Sequence, residues 1–131
     1  MTGEPPPVPQ PAGTPEAGLP LAVEAPREGC RLVAASGEID AHTAPSLRER
    51  IQAVLAEGGI EQLVLDLSGA TFLDSSALGV LIGASKRMGE LGGRLDIVLP
   101  ATHLRRIFEI TALDRVLSLH ESRQSALLSA G

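Results

Sequence analysis

Three consecutive residues, Asp74-Ser75-Ser76, are the part of this sequence best placed to carry chemistry. They stand between an almost continuously apolar run, Leu63-Val64-Leu65-Asp66-Leu67, and a helical pattern that reaches from Ser75 to about Leu91. An aspartate directly before a helix caps it. The first turn then offers free backbone N–H groups and the positive end of the helix dipole. A serine hydroxyl placed there can take on an anion without disturbing the helix. The arrangement is not a nucleophile elbow, because the glycines of G-x-S-x-G are absent and no histidine follows in a suitable context. Neither a Walker loop nor a G-x-G-x-x-G cradles nucleotide phosphates, so the chain reads as no enzyme.

The remaining chemistry-bearing side chains are more plainly structural. His42, His103 and His120 lie far apart without metal-ligand spacing and read as solvated or capping residues; no metal or cofactor is expected. Cys30 is the sole cysteine, which excludes an internal disulfide and makes a small packing residue the reading. Asp66 inside its apolar run reads as a satisfied structural carboxylate, and Arg105-Arg106 as a solvated face. Gly79 and Gly83 are spaced for a close approach between helix and sheet.

The elements that must hold Ser75 alternate. Strands over 19–25 and 31–35 flank a turn at Pro26-Arg27-Glu28-Gly29, and Gly37-Glu38-Ile39-Asp40 breaks the second. Thr43 is the expected N-cap of a helix over 44–57, with Pro45 in its first turn, an apolar stripe of Leu47, Ile51, Val54 and Leu55, and Gly58-Gly59 as its stop. A strand over 63–67, a helix over 75–91, a strand over 94–99, a helix over 102–113, a strand over 116–119 and a helix over 122–130 complete the order β-β-α-β-α-β-α-β-α. That order predicts an α/β fold with a mixed, mostly parallel sheet and packed helices. On a helical wheel Leu78, Leu81, Ile82 and Ser85 form the stripe expected against the sheet. Ser76, Val80, Ala84, Arg87 and Leu91 fall within a fan of about 80° on the opposite side. Small and apolar where a surface helix would be charged, that second face is expected to dock a partner.

Composition narrows the partners. The chain has 131 residues with a net charge of −5, two Phe and no Tyr or Trp, which leaves neither a basic field for a phosphate backbone or anionic membrane nor a stacking platform for bases. Direct contact with nucleic acid or membrane is therefore not expected. The longest apolar stretch, residues 77–84, is far shorter than the roughly 18 residues a spanning helix needs. The N-terminus lacks a secretory n-region and h-region, so a cytoplasmic location is expected. Seven of the ten prolines fall within the first 20 residues, and residues 1–18 read as a disordered, partly polyproline-like tail ahead of one folded domain over 19–131, a passive extension in preference to a docking peptide for a Pro-binding groove.

The stretch from Gly37-Glu38-Ile39-Asp40 through LVLDLSGATFLDSSALGVL to LGGRLDIVLP resembles STAS domains, in particular bacterial anti-sigma factor antagonists, over roughly residues 19–130. The resemblance implies a STAS-type fold and partner switching. An unphosphorylated antagonist of this kind binds an anti-sigma factor that is also a serine kinase, releasing a sigma factor. The kinase then phosphorylates the serine directly after the aspartate, here Ser75, and a phosphoserine phosphatase restores it. Ser76 would be the neighbour of that serine, and Asp40 would lie close by on the partner-facing surface, making Asp40, Asp74, Ser75, Ser76, Val80, Ala84 and Arg87 the expected partner-binding set. Many antagonists carry Gly where this chain has Ala77. STAS subunits of lipid-transport ABC systems are the alternative; they are similarly short but often keep a single serine or threonine at the equivalent junction.

Overall fold

The computed structural model describes residues 19–100 and 103–129. The Pro-rich tail, the first residue of the expected third helix and the last of the fourth lie outside them. The element order is β1 (Leu21–Arg27), β2 (Cys30–Ile39), α1 (Ala44–Leu55), β3 (Gln62–Leu73), α2 (Ser75–Glu90), β4 (Arg94–Val98), α3 (His103–Ile110), β5 (Ser118–His120) and α4 (Arg123–Leu128), with a 3-10 turn at Leu113–Arg115. The strands form one sheet in the order β1-β2-β3-β4-β5. β1 is antiparallel to β2, and the other pairs are parallel. The expected mixed, mostly parallel α/β architecture is what forms.

Two strands outrun their sequence signals. The glycine-containing Gly37-Glu38-Ile39 does not break β2, and β3 continues through Ser68 to Leu73. Beyond Asp66, β3 is paired with β2 alone, because its register with β4 ends at Asp66–Val98. This two-stranded ribbon ends with Ile39 opposite Leu73, so the segments leading into α1 and α2 leave the sheet side by side.

The two faces of the sheet are built differently. Alternate strand residues Val33, Leu63, Leu65, Leu67 and Ile97 join Leu47, Ile51, Val54, Ala77, Leu81, Met88, Leu104 and Phe108 in one core under α1, α2 and α3. Each of these side chains larger than alanine contributes about 1.5–3 kcal/mol by leaving water. Among the described residues the opposite face holds Cys30, Leu32, Val64, Val98 and Ala126 of α4 as its buried apolar group. Around that group runs a polar network that the sequence did not announce. The Asp96 carboxylate, fully buried, accepts from Gln62 Nε2 (2.8 Å), Arg94 Nη2 (2.8 Å) and Arg94 Nε (2.9 Å) and lies 2.9 Å from His120 Nε2. Gln62 also accepts from Arg27 and donates to the Ala126 carbonyl. Burial alone would raise the Asp96 pKa, but these hydrogen bonds and the Arg94 charge outweigh it and hold the carboxyl below its ordinary value.

The minor candidates resolve within this frame. His42 and His103 are exposed, whereas His120 is not solvated: its ring joins Asp96 to Ser125 Oγ, linking β4, β5 and α4. Arg105 is half-buried and donates to the Leu99 carbonyl, while Arg106 is exposed. Asp66 is the expected structural carboxylate, receiving Arg123 Nε, Ser68 Oγ and Ser68 N. Cys30 is buried, and burial pushes its thiol pKa up. Thr43 occupies the position before α1 but does not cap it; its Oγ1 donates to the Glu38 carbonyl and accepts from the Asp40 N–H.

Candidate functional site

Asp74 caps α2 as its side chain and place require. Its Oδ1 accepts from Ser76 N at 2.8 Å and Ala77 N at 3.1 Å, and its carbonyl accepts from Leu78 N at 3.1 Å. Two of the N–H groups expected to be free are thus taken by the cap, and the Ser75 N–H is the one left in that first turn among the described residues. Ser75 is exposed at the first position of the helix and Ser76 is half-buried behind it.

Asp40 makes the equivalent turn at the start of α1. Its Oδ1 accepts from His42 N at 2.9 Å and Thr43 N at 3.1 Å, and these bonds, the His42 one foremost, lower its pKa. Asp40 and Asp74 each follow one member of the register pair Ile39–Leu73, which places both aspartates at one edge of the sheet.

From this edge a groove of about 670 Å3 runs between α1 and α2. Ala44, Arg48, Ile51 and Leu55 form its α1 wall; Ser75, Ser76, Gly79, Val80, Gly83, Ala84 and Arg87 form its α2 wall. Five of the seven expected partner-binding residues therefore share one surface. Asp40 and Asp74 do not line it; they hold the turns beside its Ser75 end.

The face assignment of α2 needs correction. Val80 and Ala84 are 7% and 6% exposed, while Ile82, expected inside, is 46% exposed. α2 packs on the sheet and against α1 together, so its buried arc is centred on Ala77, Leu81, Ala84 and Met88. Val80 and Ala84 form the floor of the groove and are part of the core at once. Nothing in the α2 sequence alone reveals that α1 lies alongside. Gly79 and Gly83 are exposed on the same side, and a Cβ added at either would meet nothing within 4 Å. They widen the groove and do not bring the helix close to the sheet. At its cationic positions, Arg87 pairs with Glu90 at 3.4 Å through side chains that both remain more than half exposed.

The profile of the STAS domain matches residues 24–126. The chain belongs to the STAS domain family. This STAS domain is 31% identical over 101 residues to an anti-sigma F factor antagonist of Paenibacillus polymyxa, covering 76% of this chain and 85% of that relative. It is 36% identical over 84 residues to an anti-sigma-B factor antagonist of Listeria monocytogenes, covering 64% of this chain and 73% of that one. Among solved structures, an anti-sigma factor antagonist from Mycobacterium paratuberculosis superimposes with a TM-score of 0.76 at 34% identity, over 85% of this chain and 92% of the other. A Bacillus cell fate determinant in its phosphorylated form shares the STAS fold at 19% identity and a TM-score of 0.66, over 86% of this chain and 100% of that one. Among the described residues no helix is long and apolar enough to cross a membrane, and no group of three or more His, Cys, Asp or Glu could hold a metal ion.

Proposed function

We propose that this protein is an anti-sigma factor antagonist that works by partner switching in the cytoplasm, without direct contact with nucleic acid or membrane. Unphosphorylated, it binds an anti-sigma factor that is also a serine kinase, and the sigma factor held there is released. The kinase transfers the γ-phosphoryl of ATP to the Ser75 hydroxyl, ending the interaction; a phosphoserine phosphatase hydrolyses the ester and restores it. The protein is the substrate in this cycle and not a catalyst. Its relatives, named as antagonists of anti-sigma factors, support this reading.

The observation that carries it is the exposed Ser75 hydroxyl at the end of an apolar groove, on a helix whose cap is already complete. A phosphate there adds about 1.5–2 negative charges beside Asp74. With Ser76 N and Ala77 N held by the Asp74 carboxylate, little of the helix terminus remains to neutralise it. The phosphate stays in solvent in the free protein, and a partner covering Ser75 would have to desolvate it, which is costly for an unpaired charge. Phosphorylation thus acts on the interface, not on the fold.

Affinity capture with wild-type protein and Ser75→Ala, read by mass spectrometry, tests the proposal. Recovery of a serine kinase of the anti-sigma type, retained by Ser75→Ala and lost with phosphorylated protein, is the expected result. Recovery of a transporter ATPase would replace this reading with that of a lipid-transport subunit.

A further inference from the structure

The α1/α2 groove has a candidate occupant within the same chain. β1 runs antiparallel to β2, with Leu21 opposite Ala35, and the Pro20 carbonyl accepts from Ser36 N at 3.2 Å. Leu19 is buried, 6% exposed, in the core that α1 and α2 cover. The chain ahead of Leu19 therefore meets the domain towards the edge where β2 and β3 end, which is the edge carrying Asp40, Asp74 and Ser75.

Eighteen residues precede Leu19, and their chemistry complements the groove. Residues 5–11, Pro-Pro-Pro-Val-Pro-Gln-Pro, are apolar but for Gln10, and their five prolines oppose sheet and helix alike. Glu4 and Glu16 flank them, and the segment has no Lys or Arg. The groove is lined mainly by small and aliphatic side chains, its charged lining residues are Arg48 and Arg87, the latter also paired with Glu90, and none of its lining residues is acidic. The lengths also agree. The α1 wall, about 12 residues long, spans about 18 Å, and seven residues of polyproline helix span about 22 Å. Residues 12–18 give about 22 Å more to pass a helix about 10–12 Å across.

We propose that residues 5–11 of this chain seat in the α1/α2 groove as an intramolecular occupant. A polyproline segment loses little conformational freedom on docking. A short tether presents it at millimolar effective concentration, so weak contacts suffice. Where the groove is also the partner's seat, which rests on the function proposed above, the segment competes with the partner in cis.

A nitroxide on Thr2→Cys, in the full chain, tests the seat without any partner, since the native Cys30 is buried and does not label. The amide NMR signals of groove residues Leu55, Ala56 and Arg87 are expected to lose most of their intensity, while those of α4 keep theirs. Gly83→Phe, which fills open space in the groove, should restore the signals. Arg48→Glu, at an exposed position, should restore them in part and stands in if the bulkier variant does not fold. Three outcomes overturn the proposal: no quenching at the groove, quenching that ignores both variants, or quenching of equal strength between labelled and unlabelled chains in a mixture, which would make the occupant a second copy. Replacing residues 5–11 by a Gly-Ser run should then tighten partner binding by the reciprocal of the undocked fraction. Unchanged affinity would overturn the competition while leaving the function proposed above standing.

Discussion

The backbone N–H of Asp74 donates to the carbonyl of Ile39 at 3.3 Å, so the cap of α2 is bonded to the last residue of the strand that feeds α1. The two helices that wall the groove are thereby set by one junction. Removing the Asp74 carboxylate leaves Ser76 N and Ala77 N without their acceptor. Asp74→Ala should cost about 1 kcal/mol, within the 0.5–2 kcal/mol range of lost caps, and Asp74→Asn or Asp74→Ser much less. Thermal unfolding checks this, with an expected fall in Tm of about 4 °C per kcal/mol for a domain of this size. Equal melting of Asp74→Ala and Asp74→Asn would show that the cap does not hold the junction.

Ser75→Asp should leave stability within about 0.5 kcal/mol of wild type, since the side chain is exposed and the favourable helix dipole, about 0.3–1 kcal/mol, is opposed by Asp74 next door. Partner binding should be lost in the same variant. Paired melting curves and binding isotherms measure both, and a substantial loss of stability would move the effect of phosphorylation from the interface to the fold.

Asp66 and Asp96 make stability depend on acid. Both carboxyls have folded-state pKa values held below the ordinary one, Asp66 by hydrogen bonds from Ser68 and Arg123 that outweigh its burial and Asp96 as described. A carboxyl with a depressed pKa stabilises the fold above its unfolded value, about 3.9, and that stabilisation is lost as pH falls through this value towards the folded one. Denaturant midpoints should be nearly flat from about pH 7 to pH 5 and drop below about pH 4. Asp66→Asn, at the less deeply enclosed of the two sites, should be less stable at neutral pH and show a shallower acid drop. A drop identical to that of wild type would assign the acid sensitivity elsewhere.

The glycines of the second helix and of its closing turn should respond in opposite senses. At Gly93 a Cβ would lie 2.6 Å from the Glu61 carbonyl oxygen and 2.7 Å from Met88 Cε, so Gly93→Ala should destabilise by about 1–3 kcal/mol. Gly79→Ala and Gly83→Ala meet open space in a helix and should each stabilise by about 0.5–1 kcal/mol. The same two methyl groups protrude into the groove and should weaken whatever seats there. Chemical denaturation and binding measured on one set of variants would separate the two effects.

Much of this architecture was legible because local rules and tertiary structure agree. Asp74 before Ser75 announces a cap, the four apolar positions of α1 announce its buried stripe, and the alternation of elements announces the parallel sheet. The ribbon of β2 and β3 was hidden because Gly37, Ser68 and Gly69 are poor strand residues, kept extended by pairing across the ribbon, Gly37 with Ala70 and Gly69 with Ser36. Gly69 lies against Ser36, whose Cβ would be 2.8 Å from an added methyl group. The phase of α2 was misjudged because a helix wedged between a sheet and another helix has two buried flanks, and one sequence shows only their sum. The Asp96 network is not legible locally: the aspartate inside Arg-Leu-Asp-Ile-Val marks one member alone, and its partners Gln62, Arg94 and His120 come from three different strands.

The unequal faces of the sheet set an order of disassembly. α4 is six residues long, buries Ala126 fully with Leu127 partly buried beside it, and is further held by polar contacts through Gln62, Arg94, His120 and Arg123. α4 rests on the smaller of the two apolar groups, so it should open before the helices of the other face and exchange its amide hydrogens early. The Ser75 junction lies at the start of α2, over the other face. Opening at α4 is thus separable from the Ser75 end of the domain.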